Sequence, residues 1–140
     1  MKIVVCDDSM VDLEKIRGLL TIYKERHKAI QLETEYFTDS AKLYRWIQAG
    51  AQGDIYILDM IMSQRTGIDI GALIRSTDER SVIIYITSSD DFAFEAYGVR
   101  AVRYLLKPVP EKLFIEALDY AAADLSKERR EAVYTVKTKE

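Results

Sequence analysis

Short apolar runs alternate along the chain with amphipathic segments. Five of the runs have the composition of β-strands, and they are KIVVC, LETEYF, DIYILD, SVIIYIT and AVRYLLK. Three of them contain continuously apolar stretches, IVV, IYIL and VIIYI, which is typical of inner strands covered on both faces. LETEYF alternates apolar and polar residues and therefore suits an edge strand. The pattern predicts a parallel sheet.

Between these runs, apolar residues recur every three or four positions, as they do on the buried face of an α-helix. The helical segments are marked by Leu13, Ile16, Leu20 and Tyr23; by Leu43, Trp46 and Ile47; by Ile70, Leu73 and Ile74; by DDFAFEAYG; and by Phe114, Ala117, Leu118, Ala121 and Leu125. Repeated β–α units favour an α/β fold built on an open, doubly wound sheet.

The composition is that of one ordinary globular domain: 140 residues, 49% hydrophobic and 31% charged, with 6 glycines and 2 prolines. The net charge of -3 argues against a nucleic-acid surface in these residues, because phosphate binding needs a basic patch. The single cysteine cannot form an intramolecular disulfide, and no signal peptide or run of membrane-spanning length is recognisable. A cytoplasmic protein without membrane contact is therefore expected.

Polar residues follow the predicted strands at their carboxyl ends. In doubly wound sheets, binding sites form outside this edge, where the strand order reverses. The residues expected there are Asp7 and Asp8 after the first strand, Asp59 after the third, Thr87 after the fourth and Lys107 after the fifth.

Three carboxylates close together repel one another and raise the pKa of at least one, unless a cation lies among them. Mg²⁺ prefers oxygen ligands, uses one or two carboxylates and accepts phosphate oxygens, which suits a cluster of aspartates without His or Cys. The sequence therefore predicts a Mg²⁺ site formed by Asp7, Asp8 and Asp59.

Lys107 and Thr87 add a positive charge and a hydroxyl donor to the same edge. Together with the acidic cluster they predict a phosphoryl-transfer site. In it Asp59 is the nucleophile, while Lys107 and Thr87 hold the phosphoryl oxygens.

Four motifs occur together: DD after the first strand, LD at the end of the third, IT at the end of the fourth and YLLKP at the fifth. With these motifs in this order and spacing, the chain resembles the receiver domains of two-component response regulators over roughly residues 1–125. The resemblance implies a flavodoxin-like α/β fold, with a doubly wound five-stranded parallel sheet of order 2-1-3-4-5 and five helices. It implies a phosphorylated signalling switch rather than an enzyme, with a sensor histidine kinase as phosphoryl donor.

The resemblance also assigns roles to residues. Asp59 is the phosphoacceptor. Mg²⁺ is held by Asp8 directly, by Asp7 largely through water, by Asp59 and by the backbone carbonyl of Ile61.

Two further features come from the same resemblance. The Lys107–Pro108 peptide bond is expected to be cis, and Tyr104 occupies the position of a switch aromatic that responds to movement of Thr87. Phosphorylation is expected to alter the surface of the fourth helix, fifth strand and fifth helix, through which a homodimer can form.

Simpler structural interpretations stand beside these. Asp7 and Asp8 also fit an acidic pair at a helix N-terminus, Asp59 a turn aspartate and Lys107 a solvated lysine. Thr87 also fits a turn cap, and Tyr104 a core aromatic.

Two other classes of function share parts of the pattern. A phosphohydrolase with an aspartyl nucleophile usually has D-x-D at the first strand, where this chain has DD. A flavodoxin-like cofactor binder needs a hydroxyl- or glycine-rich loop in the same place. The side chain of Ile61, two residues after Asp59, cannot orient an attacking water, so hydrolysis of an aspartyl phosphate is expected to be slow.

The tail SKERREAVYTVKTKE follows the fifth helix, and residues 133–137 alternate like the start of a strand. YTVKTKE resembles the first strand of a LytTR-type DNA-binding domain, and SSDDFAFEAYGVRAVRYLLKPV resembles the receivers that precede such domains. We therefore expect a receiver domain over residues 1–125, and over 126–140 a linker with the possible first strand of an output domain. DNA would be bound only through that further domain. The alternative is a stand-alone receiver.

Overall fold

The computed structural model describes the backbone of residues 1–139 and the side chains of residues 1–127. Its strands are β1 (Lys2–Cys6), β2 (Glu33–Phe37), β3 (Ile55–Leu58), β4 (Val82–Thr87) and β5 (Arg103–Leu106). Its helices are α1 (Met10–Arg26), α2 (Ser40–Gln48), α3 (Gly67–Thr77), α4 (Ala93–Gly98) and α5 (Glu111–Lys139). The predicted five strands and five helices are confirmed.

The five strands form one parallel sheet in the order β2-β1-β3-β4-β5, as the resemblance implied. β2 is an edge strand, in agreement with its alternating sequence. Every residue of β3 and of β4 is buried, which explains their continuously apolar sequences.

Helices cover both faces of the sheet. The core on one face contains buried residues of α1 and α5, and the core on the other contains buried residues of α2, α3 and α4. Among the described residues, no helix is long and apolar enough to cross a membrane.

The end of the chain differs from the prediction. A possible first strand of an output domain was expected over 133–137, whereas the backbone of α5 continues to Lys139 in this structure. A strand needs a neighbouring strand to pair with, whereas a helix satisfies its backbone hydrogen bonds within itself. The side chains of residues 128–140 lie outside the described part of the chain, and the division into 1–125 and 126–140 stays a prediction.

Gly67 allows a close approach between the start of α3 and the end of β3. A Cβ atom on Gly67 would lie 2.4 Å from the carbonyl oxygen of Asp59 and 2.8 Å from Cα of Met60. Both are backbone atoms, so only a shift of the chain could make room for a side chain. The backbone of Asp59 and Met60 is therefore held directly against the first residue of α3.

Substitution by alanine should have opposite effects at two helical glycines. We expect Gly67→Ala to lower the free energy of unfolding by about 1–3 kcal/mol, because the methyl group overpacks a backbone contact. Gly18→Ala should raise it by about 0.5–1 kcal/mol, because nothing lies within 4 Å and alanine has the higher helix propensity. Urea titration of both variants measures the difference, and equal changes would contradict the packing argument.

Candidate functional site

Adjacent parallel strands bring the predicted carboxylates together. β1 pairs with β3 so that Cys6 lies opposite Leu58. Asp7 and Asp59 are the residues that directly follow these two strands. Asp7, Asp8 and Asp59 each offer an oxygen atom, and these atoms lie within 4.8 Å of one another. Asp7 is fully buried and Asp59 is 8% exposed, whereas Asp8 faces solvent.

Lys107 lies at the centre of this cluster. Its Nζ atom is 2.8 Å from Oδ2 of Asp7, 2.8 Å from Oδ2 of Asp12 and 3.1 Å from Oδ2 of Asp59. The backbone amide of Lys107 donates to the carbonyl of Thr87, at 2.9 Å, which fixes the lysine beside the end of β4. Lys107 directly follows β5, and from there its ammonium group reaches three carboxylates.

Asp12 was not predicted as a site residue. It lies in the first turn of α1, where its backbone amide donates to the side chain of the N-cap residue Ser9, at 3.3 Å. The sequence DDSMVD contained a signal for it. A serine N-cap after Asp8 starts a helix, and an acidic residue in the first turn is then stabilised at the same edge as Asp7.

The pKa directions follow from burial and from Lys107. Burial raises the pKa of Asp7, although hydrogen bonds from Lys107 and from the Ser9 amide oppose that rise. The hydrogen bond from Lys107 lowers the pKa of Asp12. Burial by itself would lower the pKa of Lys107, but its hydrogen bonds to Asp12 and Asp7 outweigh burial and raise it. Lys107 is therefore a cation at neutral pH.

The loop after Asp59 is tied to the acidic cluster. The Ser63 amide donates to Oδ2 of Asp8, at 3.1 Å, and the Ile61 amide is 3.4 Å from Oδ1 of Asp59. The Ser40 hydroxyl donates to the Ser63 carbonyl, at 2.6 Å. Ile61 thus lies next to Asp59, and the residue is 54% exposed.

Thr87 and Tyr104 are arranged differently from the acidic residues. Thr87 is fully buried at the end of β4, and its hydroxyl is 3.5 Å from the Ser89 amide as acceptor. The Tyr104 hydroxyl donates to the carbonyl of Ser89. In this structure both residues therefore contact the loop between β4 and α4, and the hydrogen bond of Thr87 is to Ser89 and not to Asp59.

Two other features of the site bear on its chemistry. The Lys107–Pro108 peptide bond is cis. Burial, followed by the charges of Asp7 and Asp8, raises the pKa of the Cys6 thiol to about 12. Cys6 is therefore protonated at neutral pH, so an oxygen atom rather than this sulfur is the available nucleophile.

The donor set fits a hard divalent cation. Three carboxylates contact the one ammonium group of Lys107, and Asp8 lies beside two of them, so the cluster keeps an excess of negative charge after the ion pairs with Lys107 are counted. Carboxylate oxygens, one of them on the exposed Asp8, are the ligands that Mg²⁺ prefers. The chemistry of these residues thus agrees with the predicted cofactor.

A parallel α/β sheet with a cluster of aspartates and one lysine at its carboxyl edge defines a class of proteins that handle phosphoryl groups. The model of the response regulator receiver domain family matches residues 3–119. The chain belongs to this family.

Relatives and solved structures agree with this assignment. The chain is 28% identical over 118 residues to sensory transduction protein LytT of Bacillus cereus, a match that covers 84% of the chain and 46% of LytT. It is 33% identical over 81 residues to transcriptional regulatory protein LytR of Staphylococcus aureus, covering 58% of the chain and 33% of LytR. The response regulatory domain of protein mrkE from Klebsiella pneumoniae has a TM-score of 0.80 at 22% identity, covering 91% of the chain and 99% of that domain. The chain thus spans less than half the length of these two curated relatives.

Two aspartates of the cluster should affect stability in opposite directions. Because burial raises the pKa of Asp7, its charged form disfavours the folded state above that pKa, so Asp7→Asn should raise the free energy of unfolding by on the order of 1 kcal/mol at pH 7.5. Lys107 keeps Asp12 and Asp59 as partners in this variant. Asp12→Asn should lower the free energy by about 0.5 kcal/mol, because it removes an ion pair that is partly exposed.

Urea titrations in the presence of a chelator measure both effects. The gain from Asp7→Asn should shrink as the pH falls below the raised pKa and vanish below the ordinary aspartate pKa of 3.8, because the wild-type carboxyl group is then neutral in both the folded and the unfolded protein. Changes of the same sign in the two variants would show that burial does not dominate at Asp7.

Proposed function

We propose that the chain is a phosphorylation-controlled switch in which Asp59 accepts a phosphoryl group. The observation that carries this proposal is the position of its carboxylate, 3.1 Å from Lys107 Nζ and within the cluster formed with Asp7 and Asp8. A carboxylate oxygen of Asp59 attacks phosphorus, and the bond between phosphorus and the donor nitrogen breaks. The donor is a phosphohistidine of a sensor histidine kinase, and the leaving imidazole takes up a proton.

Asp7, Asp8, Asp59 and the backbone carbonyl of Ile61 are the residues proposed to hold Mg²⁺. When bound, the ion neutralises charge on the phosphoryl oxygens. The chain's own contribution is the arrangement of the ligands: β1 presents two adjacent carboxylates, and the adjacent strand β3 presents the acceptor. The Ser63 amide orients Asp8 through its hydrogen bond of 3.1 Å.

Lys107 and Thr87 are proposed to hold the phosphoryl oxygens. Lys107 needs to change partners little, because its ammonium group is already 3.1 Å from Asp59. Thr87 has to exchange its weak contact with the Ser89 amide for one with the new oxygens. That exchange frees the loop to which Tyr104 is bonded, which makes Thr87 and Tyr104 the proposed switch pair.

The output of the switch is proposed to be control of transcription by a DNA-binding domain. The support for this is the printed description of LytR as a transcriptional regulatory protein, together with the resemblance of the tail to a LytTR-type domain. The surface of α4, β5 and α5 exposes Phe94, Tyr97 and Leu113, which suits a homodimer contact that phosphorylation controls.

Hydrolysis of the aspartyl phosphate is proposed to be slow. The side chain of Ile61 is apolar and projects to solvent, so it cannot orient a water molecule for attack on phosphorus. Ser89 offers only a short hydroxyl, and its Oγ atom already accepts a hydrogen bond from the Asp91 amide, at 3.2 Å. The proposed protein is therefore a switch that is modified once, rather than an enzyme with rapid turnover.

Modification of a single aspartate tests the acceptor. Incubation with acetyl phosphate and Mg²⁺ should add the mass of one phosphate group to the intact wild-type protein. Asp59→Asn should remain unmodified, whereas Asp90→Asn, at an exposed aspartate of the loop between β4 and α4, should be modified like the wild type. Intact-protein mass spectrometry is the measurement, and an unchanged mass gain in Asp59→Asn would refute the assignment.

Thermal unfolding tests the cation site. Mg²⁺ should raise the melting temperature of the wild-type protein, because a ligand that binds only the folded state stabilises it. The rise should be strongly reduced in Asp8→Asn and retained in Asp90→Asn. An equal rise in Asp8→Asn would mean that Asp8 is not a ligand. Replacing Mg²⁺ by the same ionic strength of NaCl controls for screening of the cluster.

A further inference from the structure

Tyr85 lies in the middle of a row of residues that crosses three strands. In the registers of the sheet it is opposite Leu58 of β3 on one side and opposite Tyr104 of β5 on the other. Leu58 immediately precedes Asp59, and the rings of Tyr85 and Tyr104 have their centroids 6.4 Å apart, with an interplanar angle of 48°. Tyr85 is therefore placed between the proposed phosphoacceptor strand and the proposed switch aromatic.

The hydroxyl of Tyr85 fixes the ring to the start of α3. It is fully buried and donates to the carbonyl of Gly67, at 2.7 Å. A buried tyrosine hydroxyl needs such a partner. Burial also raises the pKa of Tyr85, so the hydroxyl keeps its proton and remains a donor at physiological pH.

Two glycines of α3 form the slot that admits this ring. A Cβ atom on Gly67 would lie 2.9 Å from Cε1 of Tyr85, and one on Gly71 would lie 2.4 Å from its hydroxyl oxygen. Gly67 also touches the backbone of Asp59, and its amide donates to the Met60 carbonyl, at 2.8 Å. The first turn of α3 is thus held between the acceptor segment and Tyr85.

On its other side the row reaches the loop between β4 and α4. Tyr104, the neighbour of Tyr85 in the row, donates its hydroxyl to the carbonyl of Ser89. The Ser89 amide is in turn the donor to the Thr87 hydroxyl. A continuous set of contacts therefore runs from the backbone of Asp59 through Gly67, Tyr85 and Tyr104 to Ser89.

We propose that Tyr85 is a positioning residue that couples the segment 60–67, which follows Asp59, to the segment 88–92, which precedes α4. Its hydrogen bond to Gly67 holds one segment and its ring contact with Tyr104 holds the other, so a displacement on either side changes the packing available to the other. Coupling of this kind is a free energy shared by both segments, and it is reciprocal. The part of the proposal that concerns phosphorylation rests on the proposed function of Asp59.

Amide hydrogen exchange of the unmodified protein tests the coupling without phosphorylation. Tyr85→Phe removes only the hydroxyl and should accelerate exchange in both 60–67 and 88–92, by roughly threefold to tenfold, the size expected for one lost hydrogen bond. Faster exchange in 60–67 alone would overturn the proposal, because the hydroxyl would then hold α3 without affecting the loop before α4.

Tyr56→Phe is the matched control. Tyr56 is also buried in the core on the α3 face, and its hydroxyl accepts a hydrogen bond from the Gly53 amide, at 2.8 Å, at the opposite edge of the sheet. Tyr56→Phe should leave amide exchange in 60–67 and in 88–92 unchanged. Should Tyr85→Phe fail to fold, Gly71→Ala displaces the same hydroxyl from the other side, and the same joint change is expected.

Phosphorylation supplies a second readout, which a purely structural role of Tyr85 would not alter. After treatment with acetyl phosphate and Mg²⁺, Tyr85→Phe should gain one phosphate like the wild type, but the phosphorylation-dependent change of exchange in 88–92 should be at least halved. A full wild-type change in this variant would overturn the coupling. If the wild type itself gains no phosphate, the proposed function fails, while exchange in the unmodified protein still decides the coupling.

Discussion

One ammonium group holds together the charges at the carboxyl edge of the sheet. Lys107 contacts Asp7, Asp12 and Asp59, which come from three different segments of the chain. Without it, buried carboxylates would face one another in a region of low dielectric, where repulsion between like charges is strong. The lysine does not neutralise the cluster, because Asp8 adds a further negative charge nearby. The site is therefore held in place and keeps an excess of negative charge, which favours a cation.

The backbone around the site makes this arrangement specific. β1 and β3 are neighbours in register, so their terminal aspartates cannot avoid each other. The loop that follows β3 returns to the cluster through the bond from Ser63 to Asp8 and to α2 through the bond from Ser40. Gly67 then brings α3 against the backbone of Asp59. The loop that follows Asp59 is therefore constrained by contacts with Asp8, with α2 and with α3, and a change in charge at Asp59 acts directly on this loop.

The two faces of the sheet contribute different residues around the site. The face covered by α1 and α5 contributes Asp12 through the first turn of α1, and the Asp12 carboxylate pairs with Lys107. The other face contains Tyr85 and Tyr104 beside α3 and α4, and it ends in a short helix whose Phe94 and Tyr97 are 84% and 82% exposed. α4 is six residues long and has no side-chain hydrogen bond at its N-cap. α4 thus lacks the side-chain hydrogen bond at the N-cap that begins α1, α2 and α3.

The sequence by itself determined the elements and most of the site. Apolar runs and helical periodicity depend only on local spacing, and parallel strands place all their carboxyl ends on one edge, so Asp7, Asp8, Asp59 and Lys107 could be assigned to one place. The family resemblance added the strand order, which local periodicity does not contain.

Only the tertiary structure decided which groups meet across elements. Asp12 reaches Lys107 because the first turn of α1 lies beside the end of β5, and the Tyr85 hydroxyl reaches Gly67 because the glycines of α3 let it pack closely on Tyr85. The tail shows a related limit: the alternation at 133–137 suits a strand, whereas α5 continues to Lys139, and whether a strand forms depends on a partner strand, which is not a local property. Spacing along a sequence encodes periodicity, whereas contacts between distant residues depend on packing angles and available partners.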